Sequence, residues 1–144
     1  MKDCIFCKII NNEIPSYKVY EDEDVYAFLD ISQTTPGHTL LIPKKHVKDI
    51  FAYDQTLAQS VLGKIPLIAQ ALKKVLPNLN GLNLISNNGK IAGQAVFHSH
   101  FHFIPRYNEK DTFTLKFHDN SKNYSAEVLN KLAQSISKQI KNEI

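Results

Sequence analysis

The chain has 144 residues, the usual size of one domain, and 43% of them are hydrophobic, which is enough for a substantial single core. Its formal net charge of +3 suits an anionic ligand, but no dense stripe of Lys and Arg indicates a nucleic-acid partner. No run approaches the roughly 18 apolar residues of a membrane span, and the first residues lack the apolar stretch of a secretory signal. We therefore expect a cytoplasmic protein with neither a nucleic-acid nor a membrane partner.

The first half of the chain begins with short apolar and aromatic alternations between Val19 and Leu29, interrupted by an acidic turn, which predict a β-hairpin. Residues 30–37 contain Ser, Gln, Thr, Pro and Gly and predict a loop. His38 to Ile42 is apolar enough for a buried strand, which Pro43 should end.

The clearest predicted helix runs from Asp54 to Leu76, with Asp54 as its N-cap. Apolar residues recur in it at steps of three and four, which places them on one face. These are Leu57, Val61, Ile65, Ile68, Leu72 and Val75. Pro66 denies a hydrogen bond to the carbonyl of Leu62, so we expect a kink there rather than two separate helices.

The second half of the chain predicts strands at residues 81–86 and 96–104, separated by a glycine-containing loop. Residues 112–117 are a candidate for another short strand, and Tyr124 to Lys141 has the periodicity of a second helix. Few helices and mostly short connections indicate an α+β fold with an antiparallel sheet.

The most informative stretch is residues 98–103, in which histidine alternates with serine or phenylalanine. On a strand, the three imidazoles would share one face at steps of about 6.6 Å, while the phenylalanines pack into the core. Isolated histidines on a half-exposed strand are usually incidental. Three of the six histidines of the chain within these positions indicate a site instead.

Two chemistries fit this pattern. His-x-His on a strand can bind a catalytic zinc, or one imidazole can attack phosphorus while its neighbours hold the phosphate and pass protons. The loop at residues 87–94 contains Gly89 and Gly93, so its backbone N–H groups can turn towards a phosphate. A zinc site alone does not require such a loop, which favours the second chemistry.

Residues 94–104 resemble the signature of the histidine triad (HIT) family, His-φ-His-φ-His-φ-φ with φ apolar, in which Ser99 is the one departure. Three upstream segments match the family in the same order. They are Leu29-Asp30-Ile31, Pro36-Gly37-His38 and Ile42-Pro43-Lys44-Lys45-His46. The resemblance runs from about Cys4 to Arg106 and looks closest to the bacterial Hint-like branch.

The resemblance implies a HIT-like α+β fold: an antiparallel sheet of about five strands, one long central helix and a C-terminal helix. It implies a single domain over residues 1–144, with the motifs in a core at 3–106 and a C-terminal extension at 107–144. Family members also form homodimers that join two sheets edge to edge, so a homodimer is expected.

The family's chemistry implies hydrolysis at the α-phosphorus of nucleoside phosphoramidates, of the AMP-amine or GMP-amine type. His100 would be the nucleophile and form a nucleotidyl-histidine. His102 would contact the phosphate and leaving group, and His38 would belong to the proton network. No metal is required for this chemistry, since backbone N–H groups and imidazoles meet the phosphate charge.

The resemblance also implies a purine nucleotide site. Asp30 would accept hydrogen bonds from the ribose hydroxyls, for which a carboxylate offers two acceptor oxygens. Other positions would contact the base and the phosphate. The base wall would be Phe6, Phe28 and Ile31, and the remaining nucleotide-binding positions Asn87, Gly93, Gln94 and Val96. The alternative for the three apolar residues is ordinary core packing. Ala95 replaces a serine of relatives and removes one hydroxyl donor.

Cys4 and Cys7 form a C-x-x-C pair, which by itself fits either a redox pair or half of a zinc site. The resemblance implies that His46 and His98 complete a closed Cys₂His₂ structural zinc site. A zinc-bound His98 could not also be a free general base. Two free thiols or a redox pair are the alternatives. His118, in a polar stretch, is expected on the surface.

Three other functions stay open at this point. The first is hydrolysis of dinucleoside polyphosphates, as in another branch of the family. The second is a zinc-stabilised module that binds a nucleotide or a protein partner with little turnover. The third is a zinc hydrolase that uses all three triad histidines as ligands.

Overall fold

A computed structural model describes residues 3–144, which divide into a larger unit ending at Phe113 and a smaller one, Thr114–Ile144. The described residues form a five-stranded sheet and α-helices. The strands are β1 (Lys18–Glu21), β2 (Val25–Leu29), β3 (Thr39–Pro43), β4 (Gly81–Ile85) and β5 (Phe101–Arg106), and the helices are α1 (Ile5–Ile10), α2 (Gln55–Leu62), α3 (Ile65–Val75) and α4 (Ala126–Glu143). The division into one domain with a core at 3–106 stays a prediction.

The strand order of the sheet is β1-β2-β3-β5-β4, and all neighbouring strands are antiparallel. This confirms the predicted α+β fold. The chain leaves β3, passes through α2 and α3, enters the sheet at β4 and returns along β5 between β4 and β3. His102 on β5 consequently lies directly across from Leu40 on β3.

Strand β2 is apolar along its whole length because both of its faces are covered. Val25 and Ala27 belong to a cluster with residues of α2 and α3, whereas Tyr26 and Phe28 belong to a second cluster with Phe6 and Ile9 of α1. Successive side chains point to opposite faces, so one strand serves two cores. The second cluster places α1 over the same face of the sheet as Leu40 and therefore His102.

The predicted kinked helix is two helices, so that prediction was wrong. Helix α2 begins at the Asp54 N-cap, as expected, with the Leu57 N–H donating to the carboxylate at 2.8 Å. It ends at Gly63, and Pro66 lies in the first turn of α3. A helix starts readily with proline there, because the N–H that proline lacks would have no partner within the helix. Val75, predicted on the apolar face, is exposed.

The predicted strand at residues 96–104 begins only at Phe101, and residues 112–117 form no strand. The alternation nevertheless continues upstream of β5. Phe101 and Phe103 pack in the cluster with α2 and α3, and the Ser99 hydroxyl lies on that side, 3.0 Å from the Tyr53 hydroxyl. The Ser99 N–H donates to the Val47 carbonyl at 2.7 Å, outside any strand pairing. This hydrogen bond takes the place of one to a neighbouring strand, which explains why β5 begins only after Ser99.

The smaller unit contains the predicted C-terminal helix, α4. Its N-cap is Ser125, whose hydroxyl accepts the Val128 N–H at 3.2 Å. Among residues 3–144, no helix combines the length and the apolar character needed to cross a bilayer.

Candidate active site

A cavity of about 400 Å³ lies between α1, the end of β2, and the segments around the histidine triad. Every predicted nucleotide-binding residue except Gln94 lines it, together with His100 and His102. The predicted residues among its walls are Phe6, Phe28, Asp30, Ile31, Asn87, Gly93 and Val96. One part of the wall is thus apolar and another carries a carboxylate, an amide and two imidazoles, as a nucleotide would require.

His100 is buried, with 6% of its surface exposed, but its ring forms part of the cavity wall. Its Nδ1 lies 2.8 Å from the carbonyl oxygen of His98. A carbonyl can only accept, so Nδ1 carries the proton and Nε2 keeps a lone pair. Burial lowers the pKa of His100, which keeps the imidazole neutral at pH 7. A neutral imidazole with a free Nε2 has the electronic state of a nucleophile.

His38 and His102 form a chain of hydrogen bonds with a defined direction. The Thr34 N–H donates to Nδ1 of His38 at 3.3 Å, so the His38 proton is on Nε2. That Nε2 lies 2.9 Å from Nδ1 of His102, which must accept, and His102 therefore carries its own proton on Nε2. Burial, with His100 and His38 nearby, lowers the pKa of His102 to about 4. His102 consequently presents a neutral N–H group at the cavity.

Asp30 stands beside this chain. Its Oδ1 accepts the amide and hydroxyl protons of Ser32 at 2.8 and 2.6 Å, and its Oδ2 lies 3.8 Å from Nε2 of His38. Burial alone would raise the pKa of this carboxyl, but the Ser32 hydrogen bonds and the nearby histidines lower it. Asp30, His38 and His102 have the spacing of a metal site, within 4.8 Å of one another. The proton between the two imidazoles occupies the nitrogens that such a site would need.

Gln94 lies outside the cavity wall and braces the glycine-containing loop. Its Nε2 donates to the carbonyls of Lys48 and Val96 at 2.7 and 3.1 Å, and its Oε1 accepts the Gly89 N–H at 2.8 Å. The side-chain amide is therefore committed to protein partners. Gly89 and Gly93 have φ values of +94° and +92°, which only glycine adopts without strain.

Replacing Gln94 by leucine should loosen this loop, because three hydrogen bonds are lost and buried groups are left unpaired. We expect the free energy of unfolding to fall by about 2–3 kcal/mol. We also expect kcat/KM to fall about tenfold, because the loop lines the cavity and its displacement would misplace the substrate. Urea titration and steady-state kinetics measure both. Gln70→Leu, on the exposed side of α3, is the matched control and should change neither.

The four predicted metal ligands meet at the start of α1, where Cys4 is the N-cap. Nε2 of His98 donates to the carbonyl of Pro43 at 2.7 Å, so its Nδ1 has the lone pair. This Nδ1 lies 3.4 Å from Sγ of Cys4, 3.6 Å from Sγ of Cys7 and 3.1 Å from Nδ1 of His46. All four donor atoms lie within 4.8 Å of one another.

These distances match a tetrahedral metal site. Metal–nitrogen and metal–sulfur bonds of about 2.0–2.3 Å at tetrahedral angles separate the donor atoms by roughly 3.3–3.8 Å. His98 also directs a lone pair at two sulfur atoms and at the nitrogen of His46, an arrangement that a cation would stabilise. Cys4, Cys7, His46 and His98 could therefore hold a metal ion. Nδ1 of His98 faces the other three members of this set and its Nε2 donates to Pro43, which disfavours a zinc ion held by all three triad histidines.

Helix α1 and the apolar residues that it adds to the cavity were not among the predicted features. Ile5 and Ile9 line it beside Phe6, and their spacing of four on a short helix was the available signal. The C-x-x-C pair also lies at the start of this helix, which was not predicted. His118 lies on the surface as predicted.

Comparison with known proteins identifies the family of this chain. A model of the HIT domain matches residues 11–109. The protein called hit of Bacillus subtilis is 47% identical over 139 residues, which cover 96% of this chain and 95% of that protein. An adenosine 5'-monophosphoramidase of Saccharomyces cerevisiae is 45% identical over 107 residues, covering 74% of this chain and 65% of that protein.

Solved structures agree with the sequence comparisons. A HIT-family protein from Bacillus subtilis has a TM-score of 0.91 at 48% identity, covering 94% of this chain and 96% of that one. A zinc-bound histidine triad family protein from Mycobacterium smegmatis has a TM-score of 0.73 at 32% identity, covering 93% and 98%. With its three alternating histidines beside a nucleotide-sized cavity, the chain belongs to the histidine triad, or HIT, family.

Proposed function

We propose that this protein hydrolyses nucleoside phosphoramidates, of the AMP-amine or GMP-amine type, at the α-phosphorus through a nucleotidyl-histidine on His100. The observation that carries the proposal is the state of the His100 ring. Its Nδ1 proton is donated to the His98 carbonyl, so Nε2 has a free lone pair, and the ring lines the cavity. The relative in Saccharomyces cerevisiae named as an adenosine 5'-monophosphoramidase supports the same substrate class.

In the first half of the reaction, Nε2 of His100 bonds to phosphorus and the P–N bond breaks with its electron pair on nitrogen. The departing amine takes a proton from Nε2 of His102, and His102 draws the His38 proton through Nδ1. His38 and His102 together are then one proton short and carry a negative charge. His100 becomes cationic when it bonds phosphorus, which offsets this negative charge. Water then attacks phosphorus, His100 leaves neutral, and the water proton returns to the pair.

The test is a rapid-quench experiment with an adenosine phosphoramidate. We expect a nucleoside monophosphate adduct on the peptide that contains His100, formed within the first turnover and absent after long incubation. Parallel assays with a diadenosine polyphosphate test the alternative activity, hydrolysis of dinucleoside polyphosphates. A protein that binds AMP tightly, forms no adduct and shows no turnover would be a binding module instead.

Asp30 is proposed to bind the ribose, because its carboxylate lines the cavity with Oδ2 not used by Ser32. Replacing it by asparagine should lower kcat/KM for a ribonucleoside phosphoramidate at least tenfold, since hydrogen bonds to a charged group contribute about 1.5–3 kcal/mol. A 2′,3′-dideoxy substrate should be slow with the native protein and little affected by the substitution. An equal loss with both substrates would contradict the ribose role.

Zinc is the metal that we propose for Cys4, Cys7, His46 and His98. The donor set is the closed Cys₂His₂ type of structural zinc sites, and a zinc-bound family member is similar to this chain. When bound, the ion would supply no step of the reaction and would tie the start of α1 to His46 and to the first histidine of the triad. The homodimer and the cytoplasmic location stay predictions.

A further inference from the structure

The loop between β2 and β3 carries both Asp30 and His38, and Gln33 lies at its centre. The Gln33 Nε2 donates to the carbonyls of Asp30 and His38 at 2.7 and 2.8 Å, and its Oε1 accepts the Gly37 N–H at 2.8 Å. These bonds use both protons and the oxygen of the amide. Gln33 also has a φ of +42°, a strained value for a residue with a side chain.

The next residue along the chain connects this arrangement to the histidines. The Thr34 N–H donates to Nδ1 of His38, and the Thr34 carbonyl accepts the Thr112 hydroxyl proton at 2.6 Å. The N–H that sets the His38 tautomer therefore belongs to the peptide group between Gln33 and Thr34, and Thr112 holds the carbonyl of the peptide group that follows. Gln33 is not part of the cavity wall and does not need to contact a substrate.

The tautomer matters because a neutral imidazole has one proton and two nitrogens. With the proton on Nε2, His38 donates to His102, and His102 keeps its own proton at the cavity. With the proton on Nδ1, the His38 N–H would point at the Thr34 N–H, so that two donors would face each other without an acceptor. The Nε2 lone pair of His38 would then face the lone pair of His102 at 2.9 Å. The Thr34 N–H favours the first state through its contact with Nδ1, and the Asp30 carboxylate, 3.8 Å from Nε2, favours the same state.

We propose that Gln33 is a positioning residue that fixes the His38 tautomer, through the Thr34 amide, and so keeps a proton on Nε2 of His102. Its kinetic consequence rests on the proposed phosphoramidase function, whereas its effect on the tautomer does not. Among the polar residues of this loop, Gln33 alone joins the backbone on both sides of the turn that links Asp30 to His38.

The first experiment compares two leaving groups in Gln33→Leu. An alkylamine is a poor leaving group and needs the proton from His102, whereas 4-nitrophenolate leaves without one. We expect kcat for an adenosine alkylphosphoramidate to fall about ten- to a hundredfold. The rate with adenosine 5′-(4-nitrophenyl) phosphate should change less than about threefold. Gln59→Leu, on the exposed side of α2, is the matched control and should leave both rates unchanged. Equal losses with both substrates would overturn the proposal.

The second experiment observes the tautomer directly, by ¹⁵N NMR of the histidine rings at pH 7. The native protein should show His38 and His102 protonated on Nε2, and Gln33→Leu should show His38 shared between both nitrogens. Gln33→Glu, which keeps the length but turns a carboxylate oxygen towards two carbonyls, gives the same readout should the leucine variant not fold. An unchanged His38 spectrum in a folded variant overturns the proposal even if the protein has no phosphoramidase activity.

Discussion

Replacing His100 by alanine or glycine should abolish turnover and leave nucleotide binding largely intact. The substitution removes the atom that bonds phosphorus, and loss of a nucleophile costs at least about 10³-fold in kcat. Asp30 and the apolar wall around Phe6 and Phe28 are untouched, so the base and ribose keep their contacts. Steady-state assays with an adenosine phosphoramidate and calorimetric titration with AMP measure the two effects separately.

The size of the imidazole makes a control necessary. The His100 ring packs against the edge of Phe6, with ring centroids 5.2 Å apart, so truncation leaves a small void that can shift the wall. His118→Ala, on the exposed surface, controls for histidine removal as such and should keep full activity. Near-normal hydrolysis by His100→Ala would exclude the nucleotidyl-histidine, whatever its nucleotide affinity.

The strand carrying the triad shows what periodicity can and cannot predict. Alternation correctly separated the histidines from Phe101 and Phe103, because side chains in extended backbone point to opposite sides. It could not predict where β5 begins, since that depends on a partner strand. His98 and His100 precede the strand, and the Ser99 N–H finds its acceptor at Val47.

Local signals also failed where a residue had two interpretations. Pro66 fits a kink within one helix or the first turn of a new one. Because α2 ends at Leu62 and α3 begins at Ile65, it lies in the first turn of a new helix. Gln94 falls within the family signature, yet its amide is used to brace a loop. Gln33 had no signal at all, because its partners are backbone carbonyls that a sequence does not distinguish.

Removing one metal ligand should have the largest effect on stability. Cys7→Ser is expected to lower the zinc content from about one ion per chain to less than about a tenth, because serine is a poor zinc ligand. We expect the free energy of unfolding to fall by about 3–5 kcal/mol, less than for zinc fingers because the sheet core remains. The melting temperature should fall by about 10 °C, at about 2–4 °C per kcal/mol. Elemental analysis and thermal unfolding test these values.

Cys7→Ser should also affect the proposed nucleophile, because His98 contacts both the metal site and His100. The His98 carbonyl accepts the Nδ1 proton of His100, while the His98 ring is held by the Pro43 carbonyl and, when bound, the ion. Loss of the ion should free His98 to rotate, so kcat should also fall, by about tenfold. In native protein stripped of its metal, added cobalt should restore both stability and rate and show thiolate-to-metal absorption. Native protein purified without chelators that holds less than about a tenth of an equivalent of zinc would contradict the assignment.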